Sequence, residues 1–222
     1  MADTKCKLIV IDGLDGSGKA TQTKLLCERL CAEGFQARTL SFPDYESDGS
    51  AAVRMYLGGQ LGESPNDVNA YAASSFDAVD RVVSYLNSWG KDYRNYDYII
   101  ADRYVTSNII HQMAKLKASE RDDYIEWLYD YEYRRLMIPE PDLVIFLDVD
   151  PAISQQLMRG RYHGDDSKKD IHEGNVAYLK SCRKSAAYAI ERLGWTVVKC
   201  DDGEKMRSIE EISDELYSII KH

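Results

Sequence analysis

This sequence lacks an excess of basic residues, cysteines at metal-binding or redox-motif spacing, and long apolar runs. Its 28 lysine and arginine residues are outnumbered by 37 aspartate and glutamate residues, which gives a formal net charge of −9. Because the basic residues also form no long block, the composition disfavours wrapping of a polyanion, and we expect no nucleic-acid partner. No window approaches the roughly 18 consecutive apolar residues needed to cross a bilayer, so we expect no membrane partner either.

Cysteine and proline are both scarce. The five cysteines are scattered and have no C-x-x-C spacing, which is typical of reduced thiols and favours a cytoplasmic location. The five prolines fall between the apolar and amphipathic segments, and the chain contains neither a repeat nor a linker rich in small residues. We therefore predict a single domain over residues 1–222.

Strands and helices are predicted to alternate along the chain. Five short runs are nearly continuous in apolar residues, as expected of parallel strands covered on both faces: 7–12, 35–42, 97–102, 142–149 and 195–200. The segments between and after them predict helices: 19–33, 66–89, 104–136, 171–193 and 207–220. This alternation predicts an α/β fold, a three-layer doubly wound sandwich with a five-stranded parallel sheet of the P-loop NTPase type.

A glycine-rich loop, GLDGSGKA at 13–20, joins the first predicted strand to the first predicted helix. Glycines let the backbone turn its N–H groups toward phosphate oxygens, and the lysine that follows reaches the β- and γ-phosphates. This context predicts ATP binding by one contiguous set of residues: Gly13, Asp15, Gly16, Ser17, Gly18, Lys19, Ala20 and Thr21.

Ala20 departs from the usual form of this loop, in which a serine or threonine hydroxyl ligates Mg²⁺. The hydroxyl of Thr21 points about 100° around the helix and does not replace it. Since Mg²⁺ keeps water and phosphate oxygens as most of its ligands in such sites, we expect the ion to bind more weakly without turnover being lost.

With these features the chain resembles the thymidylate kinase family of nucleoside monophosphate kinases over nearly its whole length. The motifs occur in an order specific to that family: GLDGSGKATQ (13–22), SFPDY (41–45), AVDR (78–81), ADRY (101–104), PEPDLVIFLDVDP (139–151) and RGRYHGDD (159–166). The resemblance implies transfer of the γ-phosphoryl group of ATP, with Mg²⁺, to a deoxynucleoside monophosphate, usually dTMP. It also implies a homodimer.

Positive charge around the moving phosphoryl group is the main demand of this chemistry. Lys19 at the end of the glycine loop and Arg103 directly after a predicted strand supply it. The resemblance implies that Arg103 bridges the two phosphates. A lid at about 159–170 would add Arg159 and Arg161, because the glycine loop itself carries no arginine. Asp102 is the candidate for holding a water molecule bound to Mg²⁺.

The acceptor nucleotide has its own expected set of residues. The resemblance implies that Asp15 faces the sugar 3′-hydroxyl and that Arg81 holds the monophosphate side. The full acceptor set is Asp15, Phe42, Pro43, Arg54, Phe76, Arg81, Arg103, Ser107 and Gln112.

Two positions of the acceptor set depart from the family pattern. Arg54 substitutes for an arginine that often follows the Phe-Pro pair. Asp77 stands where an aromatic residue often stacks on thymine, so either Phe76 stacks or the base is not thymine.

Two other functions stay open at the level of sequence. A deoxynucleoside kinase would take an uncharged nucleoside, against which Arg81 and the Phe-Pro segment argue. A nucleotide-binding protein with little turnover is the other alternative, and Ala20 is its main support.

Overall fold

The computed structural model describes residues 6–150, 153–154, 172 and 175–221 of the chain. Within these residues one parallel sheet of five strands runs in the order β2-β3-β1-β4-β5, as the sequence predicts. The strands are β1 (Lys7–Gly13), β2 (Ala37–Ser41), β3 (Tyr98–Asp102), β4 (Leu143–Asp148) and β5 (Thr196–Lys199).

The central strand β1 determines which residues meet at the functional edge of the sheet. It pairs with β3, where Ile11 lies opposite Asp102, and with β4, where Gly13 lies opposite Leu147. Ser41 at the end of β2 is also in register with Asp102. Parallel pairing therefore brings the carboxyl ends of four strands to one edge, where ligands bind in folds of this type.

Helices flank both faces of the sheet. The longer ones are α1 (Lys19–Ala32), α2 (Ala51–Leu57), α3 (Ala70–Ser84), α4 (Val105–His111), α5 (Arg121–Tyr129), α6 (Val176–Leu193) and α7 (Ile209–Lys221).

Each face of the sheet has its own buried core, as a three-layer sandwich requires. Alternate residues of β1 point to opposite faces, so Leu8 belongs to the cluster containing Ile109 of α4, whereas Ile9 belongs to the cluster containing Leu26 of α1. On the second face Leu216 of α7 is fully buried in the same cluster as Leu26. Each such leucine contributes roughly 1.5–3 kcal/mol through its burial.

The single helix predicted over 104–136 is wrong, because the chain bends in its middle. After α4 and a short turn at Met113–Lys115, Leu116 and Lys117 adopt extended backbone with ψ near 156° and 155°. The Glu120 carboxylate accepts the Lys117 N–H at 2.9 Å before α5 begins. The extended residues break the helical hydrogen bonding, and no glycine or proline marks the break in the sequence.

Helix α3 also begins later than predicted, because Asn69 caps it by accepting the Ala72 N–H at 2.9 Å. It continues through a π-helical turn at Tyr85–Trp89 to Gly90, near the predicted end. Helix α2 was not predicted. In the described part of the chain, no helix is both long and apolar enough to span a membrane.

Candidate active site

A cavity of about 720 Å³ opens beside the carboxyl ends of β2 and β3. Its wall is built from the glycine loop, the segment after β2, and helices α2, α3 and α4. The residues that line it are Asp15, Gly16, Gly18, Lys19, Ala20, Thr21, Ser41, Phe42, Pro43, Tyr45, Tyr56, Leu57, Asp77, Arg81, Asp102, Arg103, Tyr104, Ser107, Asn108, His111, Gln112 and His172.

The glycine loop has the backbone that phosphate binding requires. Gly16 and Gly18 have φ of 81° and 87°, a left-handed conformation that other residues rarely adopt. Gly18 precedes α1, and no side chain caps that helix. The positive end of α1 therefore points its unpaired N–H groups at the cavity, an arrangement that suits an anion.

Lys19 lies folded against the loop that it follows. Its Nζ donates to the carbonyl oxygens of Gly13 at 3.0 Å and Leu14 at 2.9 Å, and the residue is 7% exposed. Burial and the neighbouring charge of Arg103 lower the pKa of Lys19 to about 8, although Asp15 opposes the shift. The ammonium group is thus held at the mouth of the loop, where the terminal phosphates of ATP are expected.

Arg103 forms an ion pair with Asp15 of the glycine loop. It sits directly after β3 with φ of 66°, a left-handed conformation that costs roughly 1–3 kcal/mol in a residue other than glycine. Burial alone would raise the pKa of Asp15, but the charges of Arg103 and Lys19 outweigh it and hold that pKa well below its ordinary value. The strained backbone aims the guanidinium across the cavity toward the loop.

Arg103 also fixes the tautomer of His111. Its Nη1 lies 3.2 Å from Nε2 of His111, and since a guanidinium only donates, Nε2 accepts and the proton resides on Nδ1. Burial and the charge of Arg103 lower the pKa of His111 well below its ordinary value, so the ring is neutral. Among the described residues Nδ1 is buried without a hydrogen-bond partner.

Two aspartates mark the ends of β1 and β3, and they differ in their surroundings. Asp12 is fully satisfied, because it accepts the hydroxyls of Thr106 at 2.6 Å and Ser107 at 2.8 Å and the N–H of Gly13 at 2.8 Å. Asp102 has a buried Oδ1 without a hydrogen-bond partner in the described structure. Burial raises the pKa of Asp102 against the charges of Lys19 and Arg103.

Arg81 lines the cavity, but its charge is already paired. Its Nε and Nη2 donate to the two carboxylate oxygens of Glu132 at 2.7 and 2.6 Å, and both side chains are buried. Burial would lower the pKa of Arg81, but the charge of Glu132 outweighs it and raises that pKa above its ordinary value. Arg81 consequently offers an acceptor phosphate less free charge than the sequence predicts.

A second polar cluster closes the cavity at α2 and His172. The rings of His111 and His172 stack at 5.5 Å, and Nε2 of His172 lies 2.8 Å from the hydroxyl of Tyr56. Lys115 donates to the same hydroxyl at 2.9 Å. Burial and the charge of Lys115 lower the pKa of His172 to about 3, so this ring is also neutral. No motif or periodic pattern in the sequence indicates Tyr56 or His172 as site residues.

The structure brings most of the predicted site residues into one cavity. Its wall includes the following residues predicted for ATP, the acceptor or catalysis: Asp15, Gly16, Gly18, Lys19, Ala20, Thr21, Phe42, Pro43, Arg81, Asp102, Arg103, Ser107 and Gln112. Gly13 and Ser17 support the loop from behind, since a Cβ on Gly13 would lie 2.7 Å from both Ser17 Oγ and the Leu147 carbonyl oxygen. Arg159, Arg161 and the rest of the lid predicted at about 159–170 lie outside the described residues.

Two predicted acceptor residues do not line the cavity. Arg54 instead donates to the carbonyl oxygens of Tyr45 at 3.1 Å and Ser47 at 2.9 Å, so it ties the loop before α2 to that helix. Phe76 packs beside Tyr56, with ring centroids 6.3 Å apart, and its neighbour Asp77 lines the cavity in its place. The helical repeat of α3 puts Asp77 one turn before Arg81, on the same face.

The donor set fits Mg²⁺ held mainly by phosphate oxygens and water. The described residues contain no group of three histidine, cysteine or acidic side chains that would hold a metal ion by itself. Asp102, with its unpartnered buried oxygen, is the carboxylate that would contribute. Ala20 contributes no ligand.

Comparisons with known proteins agree on one family. The sequence model described as thymidylate kinase matches residues 11–212. The chain is 32% identical over 190 residues to thymidylate kinase of Mycobacterium tuberculosis (strain ATCC 25618 / H37Rv), covering 85% of this chain and 87% of the relative. It is 27% identical over 222 residues to the probable thymidylate kinase of Thermococcus onnurineus (strain NA1), covering 96% and 97%.

A solved structure of thymidylate kinase from Candida albicans has the same fold. It superposes with a TM-score of 0.69 at 21% identity, covering 98% of this chain and 92% of that chain. At this identity the likeness concerns the arrangement of the strands and helices.

Proposed function

This chain belongs to the thymidylate kinase family, and from that premise we propose that it phosphorylates dTMP with ATP at the cavity beside the glycine loop. A phosphate oxygen of dTMP attacks the γ-phosphorus of ATP, and the bond from that phosphorus to the bridging oxygen breaks. The products are dTDP and ADP.

The observation that supports this proposal is the position of Arg103 in the cavity. It pairs with Asp15 of the glycine loop and shares a cavity with residues of the acceptor side. Lys19 lies on the ATP side of the same cavity. A guanidinium here can bind oxygens of the donor and the acceptor phosphates at once, because its N–H groups form a planar fork.

Asp15 positions Arg103 in this proposal. An isolated carboxylate beside ATP phosphates would be repelled, but here its charge is opposed by Arg103 and Lys19. The contact between Asp15 and the sugar 3′-hydroxyl, implied by the family resemblance, stays a prediction.

The acceptor nucleotide extends from Arg103 along α4. Ser107 of α4 and Gln112, directly after that helix, line the cavity together with Phe42 and Pro43. Of the remaining acceptor set, Arg54 and Phe76 are left out, and Arg81 acts by holding the wall in place through Glu132.

Mg²⁺ would be held by phosphate oxygens, water and Asp102. When bound, it neutralises part of the phosphate charge. Arg159 and Arg161 as lid residues, the homodimer, the cytoplasmic location and the absence of a nucleic-acid partner all stay predictions.

A coupled ADP-release assay tests the function directly. We expect ADP release with dTMP as acceptor, dependent on Mg²⁺, and none with thymidine or with ATP alone. Turnover of thymidine but not dTMP would identify a nucleoside kinase instead. ATP binding without ADP release for any nucleoside or monophosphate would favour a nucleotide-binding protein with little turnover.

A further inference from the structure

The end of the cavity away from the glycine loop is where an acceptor base would lie. Helix α4 starts beside the sheet edge, where Ser107 donates to Asp12, and continues away from it. From Val105 to Gln112 the chain advances roughly 10 Å at the α-helical rise, enough to pass a nucleotide from its phosphate to its base. Asn108 and Gln112 are one turn apart and both line the cavity.

Asp77 contributes a carboxylate to this end. The Asn108 amide is oriented with its nitrogen 2.9 Å from Oδ2 of Asp77 and its oxygen 3.0 Å from Nη2 of Arg81, since the opposite orientation would set like partial charges together. Asp77 lines the cavity, and no hydrogen bond joins its Oδ1 to another of the described residues. One carboxylate oxygen is therefore held by the protein while the other remains available to a ligand in the cavity.

Gln112 contributes a second acceptor. The residue is 2% exposed, lines the cavity, and its Oε1 has no hydrogen-bond partner among the described residues. A buried carbonyl oxygen without a hydrogen bond costs about 1–3 kcal/mol. A ligand that donates a hydrogen bond to it therefore gains in affinity.

Two unpartnered acceptors at the base end favour a ligand group that carries two N–H bonds. The exocyclic amino group of cytosine is such a group, whereas the corresponding position of thymine is a carbonyl oxygen that a carboxylate repels. A site that hydrogen-bonds an amino group discriminates against a base that lacks it.

We propose that Asp77 and Gln112 read the 4-substituent of the acceptor pyrimidine and admit an amino group, so that the enzyme phosphorylates dCMP as well as dTMP. This inference rests on the proposed function, because it uses the same ATP site and the same transfer. The phosphate oxygen of dCMP attacks the γ-phosphorus, and dCDP and ADP are the products.

The test compares kcat/KM for dCMP, dTMP and dUMP in the native enzyme and in Asp77→Asn. Asparagine keeps the shape of the side chain, but with its oxygen toward Asn108 it presents an N–H₂ donor to the cavity. We expect the dCMP to dTMP ratio to fall about 10- to 100-fold, the scale of one hydrogen bond to a charged group. dUMP should follow dTMP, because both carry a 4-carbonyl and differ only in the methyl group.

Asp77→Leu serves as the second variant, and its melting temperature shows whether it folds. It removes the acceptor without supplying a donor, so the dCMP rate should fall while the dTMP rate is less affected. A ratio that stays close to the native value in Asp77→Asn overturns the inference, as does a native enzyme that uses dTMP but not dCMP. If the native enzyme phosphorylated dCMP but not dTMP, dTMP would be removed from the proposed function, and the role of Asp77 in recognising the amino group would be retained.

Discussion

Arg103 at the end of β3 forms an ion pair with Asp15 of the glycine loop, 88 residues earlier in the chain. Arg103 has a left-handed backbone, and the same guanidinium reaches Nε2 of His111. The pair joins the glycine loop to the end of β3, so in the proposed function the two nucleotides would share one cation. A guanidinium in this position would stabilise the negative charge of the phosphoryl group while that group is transferred.

Arg103→Lys should lower kcat by at least about 10²-fold, the scale of losing one preorganised donor at the transition state. Lysine keeps the positive charge but lacks the planar guanidinium that donates to two oxygens at once. A lower kcat would therefore show that this paired donation matters. Steady-state kinetics with ATP and dTMP make the measurement. Arg29→Lys is the matched control, since Arg29 is half-buried outside the cavity and pairs with the exposed Asp214. A near-native kcat in Arg103→Lys would remove Arg103 from the mechanism.

The sequence predicts those site residues that lie in or next to a recognisable local pattern. The glycine spacing and the apolar strands fix the loop, and the residues that follow each strand must lie at one edge. The bend at Leu116 has no glycine or proline to mark it, and the Arg81–Glu132 pair joins residues 51 positions apart. Such contacts arise from packing between distant segments, and a pattern within one segment does not reveal them.

Lys19 should give the reaction a basic limb in its pH profile. Its pKa is lowered to about 8, chiefly by burial and by Arg103, so its positive charge is present below that pH and is lost above it. We expect kcat/KM for ATP, which reports the free enzyme, to fall as the pH rises past about 8. In Lys19→Arg the side chain stays charged at every pH tested. We therefore expect a lower overall rate and no decline of kcat/KM above about pH 8. A native profile that stays flat well above this pH would contradict the assignment.

Ala20→Ser should lower the Mg²⁺ concentration that gives half-maximal activity. Ala20 lines the cavity directly after Lys19, and a hydroxyl here would supply the ligand that the native loop lacks. The Mg²⁺ titration of ADP release makes the measurement, and melting temperatures with ADP and with MgADP give a second readout. If both titrations matched those of the native enzyme, position 20 would not face the ion.

Glu132→Ala should lower the free energy of unfolding by about 3–5 kcal/mol, because it leaves the buried Arg81 charge without a partner. Asp130→Ala is the matched control, because Asp130 and Glu132 lie in the same π-helical turn, Asp130–Arg135. Its partner Arg135 is exposed, so the loss there should be below about 1 kcal/mol. Urea denaturation of the two variants makes the comparison, and equal losses would mean that the Arg81–Glu132 pair contributes no more than a surface pair.

Base preference should depend on pH through Asp77. Burial raises the pKa of Asp77 to about 7, with Glu132 and Asp80 adding to the shift and Arg81 and Lys115 opposing it. Below that pH the protonated carboxyl donates to the 4-carbonyl of thymine. Above it the carboxylate only accepts, which favours the amino group of cytosine.

The ratio of kcat/KM for dCMP to that for dTMP should therefore rise as the pH increases through about 7. The ionisation of the acceptor phosphate is common to both substrates and cancels in the ratio. Asp77→Asn does not titrate, so its ratio should be independent of pH over the same interval. If the native ratio were equally flat, the hydrogen bond to the base would have to come from Gln112 alone. If the variant kept the native slope, another group would be responsible for the pH dependence.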